Sequence, residues 1–247
     1  MNSIKYKFDE FTFEAYRRFL SIAQENYSFV FFDDYRKYQR FILLRHDVDL
    51  SISSALKIAE LESENNIRST FLFNLRCSFY NMLDPEELKK IMYIQSLGHQ
   101  VGIHFDINSY KINEETELIS KLKFEKHIFE LYLGKEMRVV SFHNPTLSGS
   151  FDKEEYAGLI NTYSSKLKTV KYCSDSNGYW RFESIFDLVE QKKYYKLHIL
   201  LHPGHWQEEV MSPKERIDKC INNQAERLRM DYKNLLERNG RELINRE

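Results

Sequence analysis

Cysteine is scarce in this chain, and glycine and proline are nearly so. Three cysteines, Cys77, Cys173 and Cys220, lie far apart in 247 residues, with no CxxC pair. A sparse and odd set argues against a disulfide framework and is neutral as to a reducing compartment. With eight glycines and four prolines, the chain has no low-complexity segment, linker or internal repeat. An excess of either charge is also absent. The net charge of −1 gives no footing to an electrostatic nucleic-acid binder, and the 30% of charged residues are mixed in sign, as on a solvated surface. No stretch approaches the ~18 apolar residues of a membrane span. The opening MNSIKYKFDEF lacks the uninterrupted apolar core of a signal peptide. The expectation is a soluble, cytoplasmic protein with no nucleic-acid partner and no membrane span.

What is present is enough for one sizeable core. Of the 247 residues 42% are hydrophobic and 15% aromatic, a length that α/β barrels commonly occupy as a single domain. The stretch Phe41–Asp49, FILLRHDVD, sets four apolar residues directly before Arg45, His46, Asp47 and Asp49. A short continuous apolar run fits a strand buried on both faces, and such strands deliver functional side chains at their carboxyl ends. Asp47 and Asp49 are two apart, so an extended backbone projects them to one side. Two crowded carboxylates call for a cation or a shared proton. The plainer alternative, an acidic turn capping the next helix, needs one carboxylate and not a charged quartet.

Strand and helix patterns alternate about six times along the chain. Helical faces are predicted over Phe13–Gln24, Ser51–Asn66, a segment from Asp84 to Gly98, Asn113–Leu133, Asp152–Ile160, Ser184–Gln191 and the charged tail from Pro213. Strands are predicted at Phe41–Arg45, Ser69–Asn74, His99–His104, Arg138–Phe142, Thr169–Cys173 and Tyr195–Leu201, with a further short element at Phe29–Phe32. That rhythm implies βαβ units and hence an α/β fold in one domain, 1–247, and six or more units suggest a closed or nearly closed barrel; the expected form is a distorted (β/α) barrel, largely parallel, of seven strands.

Polar residues of catalytic type recur where the strands end: Asp47 and Asp49, His104, His143, Asp175 and His202. In a parallel barrel these ends converge on one face. Carboxylate and imidazole together are suitable ligands for zinc or a similar divalent ion. A lone histidine is more often a hydrogen-bonded wall residue than a ligand, so the joint placement is what carries weight. His99 begins its strand and reads as structural. His127 and His198 fall inside elements and receive no role.

In these motifs the chain resembles the polysaccharide deacetylases of the NodB-homology type, carbohydrate esterase family four, over roughly Phe41 to Trp206. It is closest to a divergent branch associated with bacterial surface-glycan biosynthesis, which has an RHDVD-like first motif. The family's aspartate pair maps to Asp47 and Asp49, with Val48 between them. The resemblance makes Asp47 the base and Asp49 a metal ligand. The second motif resembles Gly98–His104, with His104 as a ligand. Asn108 stands where the family usually has another ligand histidine, four residues on. The third motif, usually Arg-x-Pro, resembles His143-Asn144-Pro145, so His143 replaces an arginine and is expected as the third ligand, with Asp106 a weaker candidate. The fourth resembles Ser174–Arg181 and the fifth Ile199–His202. In the family the last histidine is the catalytic acid and the fourth-motif aspartate orients it, implying His202 and Asp175.

The activity implied is removal of an acetyl group from an N-acetylated sugar or glycan precursor in surface-polysaccharide (O-antigen or capsule) synthesis. The cofactor is a divalent metal ion, with Zn²⁺ expected, and the partner is a nucleotide- or lipid-linked N-acetyl sugar or oligosaccharide. Trp180, Asn144 and Tyr80 are expected to contact substrate. The alternative from the same resemblance is a catalytically silent glycan-binding relative. His46-Asp47 also forms the doublet of HD phosphohydrolases, but those are all-helical and carry it on a helix, whereas β-rich residues precede it here.

Overall fold

The computed structural model describes residues 5–144 and 152–244. Its organising strand is β2, Phe41–Val48, buried along its whole length. Alternation sorts its side chains onto two faces. Ile42, Leu44 and Val48 join the large apolar layer beneath the helices, while Phe41 and Leu43 join a smaller cluster with Leu72 and Val139 inside the curl of the sheet. Arg45 and Asp47 follow Leu43 in register and face that interior.

The other strands are β1 (Ser28–Phe29), β3 (Thr70–Phe73), β4 (Gln100–Phe105), β5 (Val139–Phe142), β6 (Glu155–Tyr156), β7 (Leu159–Asn161), β8 (Lys171–Ser174) and β9 (Lys196–Leu201). Their order is β6-β7-β5-β4-β3-β2-β9-β8, with β1 beside the start of β2. Every pairing is parallel except the β6–β7 hairpin. The result is a curled, mostly parallel half-barrel in an α/β fold. Among the described residues there are nine strands where seven are expected, and β8 does not pair with β6 or β7, so the curl stays open there. Gly102 lets β4 sit close to its neighbours on the inside: a Cβ there would lie 2.5 Å from the Val139 carbonyl oxygen and 2.7 Å from Leu72 Cδ2.

The helices are α1 (Phe13–Gln24), α2 (Ile52–Glu64), α3 (Pro85–Ser96), α4 (Glu115–Leu133), α5 (Ile185–Gln191) and α6 (Pro213–Arg238). Local chemistry starts and stops them. Thr12, Ser51 and Asp84 accept backbone N–H groups as N-caps, Gly134 closes α4 at φ 65°, and Ser212 with Glu215 forms a capping box before α6. One predicted helix is corrected. Asp152–Ile160 holds the β6–β7 hairpin, because Ala157 (φ 54°) and Gly158 (φ 71°) supply the two left-handed residues of a tight turn. Among the described residues no helix is long and apolar enough to cross a membrane.

Candidate active site

Parallel strands bring their carboxyl ends to one rim, and the predicted residues follow them there. Asp49 lies just past β2, His104 near the end of β4, His143 just past β5, Asp175 just past β8 and His202 just past β9. Asp47, Asp49, His104, His143 and His202 surround an open pocket of about 480 Å³, which Asn144, Phe79, Tyr163 and Tyr172 also line. Asp175 lies behind His202, fully buried.

Asp49, His104 and His143 each offer a ligand atom, and these atoms lie within 4.8 Å of one another. His104 Nε2 is 3.0 Å from Asp49 Oδ1. Asp49 Oδ1, His104 Nε2 and His143 Nδ1 are all buried and without a hydrogen-bond partner. A buried polar atom left unpaired costs about 1–3 kcal/mol, so three on converging side chains need a common explanation. A divalent cation supplies one, because two imidazoles and a carboxylate form a donor set of the kind that holds zinc. The residues present therefore fit the metal. Burial alone would raise the Asp49 carboxyl, but the imidazoles of His104, His202 and His143 outweigh it and hold the group well below the usual carboxylate range. Burial would lower His104, yet Asp47 and Asp49 raise it overall.

Asp47 occupies the floor. Its Oδ2 is 3.2 Å from the Arg45 guanidinium and its Oδ1 accepts from Ser141 Oγ at 3.3 Å. Arg45 is itself fully buried, bonded to Thr162 and to Tyr163 Oη (2.7 Å), with its guanidinium 4.5 Å from the Tyr163 ring centre.

His202 and Asp175 form a tight couple. His202 Nδ1 is 2.6 Å from Asp175 Oδ1, and the His202 backbone N–H reaches both carboxylate oxygens at 3.0 Å. Trp206 Nε1 donates to Asp175 Oδ2 at 3.1 Å. Burial opposes a charged imidazole at His202, but the Asp175 carboxylate outweighs it and pushes the group up to about 9. Its Nε2 lies 3.6 Å from Asp49 Oδ2, on the pocket side. The neighbouring His205 is lowered to about 4, chiefly by burial, and stays neutral.

Two expected substrate contacts are corrected. Trp180 is buried, stacked on Phe11 at 4.9 Å and set edge-on to Trp206, and it does not line the pocket. Tyr80 is buried too: its hydroxyl donates to the Val48 carbonyl at 2.7 Å and accepts from Asn74 N at 2.9 Å, fastening the end of β2. The exposed aromatic rings lining the pocket are Phe79 and Tyr172, 47% and 45% exposed. Asn144 does line the pocket, in the left-handed region at φ 48°. Pro145 lies outside the described residues. Asp106 caps Asn108 N and Ser109 Oγ and stands 3.7 Å from His143 Nδ1, while Asn108 is exposed. His99 serves the wall, bonded to Ala59 O and Ser69 N.

Sequence reasoning assigns no role to Ser141, Tyr163, Trp206 or Arg45. Alternation offered one signal: Ser141 precedes His143 by two, and Arg45 precedes Asp47 by two, so each shares its neighbour's face. Nothing local marks Trp206 or Tyr163, which reach the site through tertiary packing.

No protein-family model matches the sequence, and a search of curated proteins returned no match. Solved structures do match. A mutant of a CE4 family pseudoenzyme with restored enzymatic activity is 18% identical, with 76% of this chain and 64% of that chain covered and a TM-score of 0.48. This chain thus spans less than two thirds of that protein. The chitin deacetylase of the fungal pathogen Colletotrichum lindemuthianum is 16% identical over 74% of this chain and 81% of that one, at a TM-score of 0.44. A family 4 carbohydrate esterase from Bacillus anthracis is 18% identical over 84% of each chain, at a TM-score of 0.42. The first and the last of these bear the name of carbohydrate esterase family 4, the family that the five motifs resemble.

Proposed function

We propose that this protein is a metal-dependent hydrolase that removes the acetyl group from an N-acetylated sugar. The observation that carries the reading is the convergence of orphaned atoms from Asp49, His104 and His143 beside a buried carboxylate and a histidine–aspartate couple. Amide hydrolysis needs an activated water, a polarised carbonyl and a proton for the departing amine. Asp49, His104 and His143 would hold a divalent ion, which would supply Lewis acidity and make water more acidic. Asp47, held by Arg45 and Ser141 with its carboxylate at the pocket floor, accepts the water's proton. His202 gives a proton from Nε2 to the leaving nitrogen, while Asp175 holds the opposite ring nitrogen. Asn144 and the exposed ring of Phe79 contact the sugar at the mouth. The resemblance adds the substrate class, an N-acetylated sugar used in surface-polysaccharide synthesis.

Elemental analysis of purified protein, together with amine release from N-acetyl sugars, tests this. One equivalent of a divalent ion, zinc foremost, and measurable amine release are expected. Asp47→Asn should keep the metal and lose most turnover; His104→Ala should lose the metal. Metal bound with no amine released from any N-acetyl sugar would instead point to a silent glycan-binding protein. Full turnover in both variants would put the site elsewhere.

A further inference from the structure

Ser141 is fully buried in β5, and its hydroxyl stands between two groups of the site. It lies 2.6 Å from His104 Nδ1 and 3.3 Å from Asp47 Oδ1. A serine hydroxyl has one proton to give and lone pairs to receive. The Asp47 carboxylate can only accept, and its other oxygen already takes the Arg45 guanidinium. The Ser141 proton therefore goes to Asp47 Oδ1, and the Ser141 oxygen receives an N–H from His104 Nδ1. The opposite tautomer would place an N–H on His104 Nε2, 3.0 Å from Asp49 Oδ1. Those two atoms are in ion-pair contact but are not aligned as a hydrogen bond, and neither has another hydrogen-bond partner. A lone pair on Nε2, shared with a cation, suits that geometry where an N–H does not.

We infer that Ser141 is a positioning residue: it holds His104 in the Nδ1–H tautomer with Nε2 free for the metal, and it joins that ligand to the base Asp47. This rests on the reading of Asp49, His104 and His143 as a metal site. Partners of this kind behind a ligating histidine fix the orientation of its ring and raise its basicity, and losing one weakens metal binding by roughly 10–100-fold. The hydroxyl also keeps Asp47 Oδ1 aligned, so one side chain sets both the ligand and the base.

Zinc affinity, measured by competition with a chromophoric chelator, tests the inference on the chain of 247 residues. Ser141→Ala should bind zinc roughly 10–100-fold more weakly than wild type, and Ser141→Thr, which restores the hydroxyl, should recover most of the loss. Ser69→Ala removes a different buried hydroxyl, bonded to Glu62 away from the pocket, and should leave zinc affinity unchanged. In the zinc-loaded protein, nitrogen-15 NMR should find a slowly exchanging His104 Nδ1–H that is lost in Ser141→Ala. Wild-type affinity in Ser141→Ala, or an equal loss in Ser69→Ala, overturns the inference while leaving the metal site standing. A wild-type protein that binds no divalent ion overturns both. If the threonine methyl does not fit, the NMR signal in wild type against Ser141→Ala decides the question.

Discussion

His202 is the residue whose chemistry depends most on one neighbour. Asp175, itself buried, pushes the imidazole up to about 9. The acid is thus protonated across the neutral range and loses its proton as pH rises through about 9, so turnover should fall on that alkaline limb. Asp175→Asn removes the largest raising charge, leaving Asp49 and Asp47, while burial still lowers the group, and the limb should move to lower pH. His202→Ala should keep fold and metal while turnover drops by ~10²–10⁴, the usual contribution of a positioned acid. An unchanged pH–rate profile in Asp175→Asn, with His202→Ala still active, would remove both from the mechanism. At this scale the sequence was most legible where a side chain's position follows from strand geometry. The polar strand ends could be read directly, because a parallel strand leaves its last residues on a common rim. Trp180 and Tyr80 were misplaced because aromatic character does not say which side a loop turns: the neighbour Phe79 faces the pocket and Tyr80 the core.

The elements followed their local signals closely where caps and apolar faces agreed. The predicted Phe13–Gln24 matches α1 at both ends, with Thr12 as its cap. The sequence of the β6–β7 hairpin predicts a helix because nine residues with apolar positions three and four apart satisfy both periods. Its Ala-Gly turn decides the matter only through backbone angles, which composition does not reveal. A test at this scale concerns Gly102, a β4 residue with no room for a side chain. Gly102→Ala forces its new methyl against the Val139 carbonyl and Leu72, and should destabilise the protein by ~1–3 kcal/mol, as overpacked cores do. Denaturant unfolding would measure it. A neutral result would mean that β4 and β5 can separate at that point.

For the whole molecule, the alternation of strand and helix gave the class and the parallel sheet, while the strand count and the unclosed edge stayed hidden. Closure depends on whether distant strands meet in register, and β1, β6 and β7 are too short to leave a period in the sequence. Arg45 spans the interior from β2 to Thr162 and Tyr163, just beyond β7, and stays charged in full burial because Asp47 and Tyr163 outweigh the cost of desolvation. Removing one partner of such a buried ion pair costs about 3–5 kcal/mol. Arg45→Met should lower stability by that order, and a thermal melt within a degree or two of wild type would contradict it.

The unclosed edge has a consequence for how the protein fails when heated. The guanidinium that ties β2 to the segment after β7 also grips Asp47, so any parting of the sheet along its gap loosens the base at the same moment. Inactivation by heat should therefore begin below the temperature of global unfolding. Cooling should reverse the early loss, since the central strands are still paired. Amide protons near β7 and β8 should exchange with solvent in step with that loss, well before those of β2.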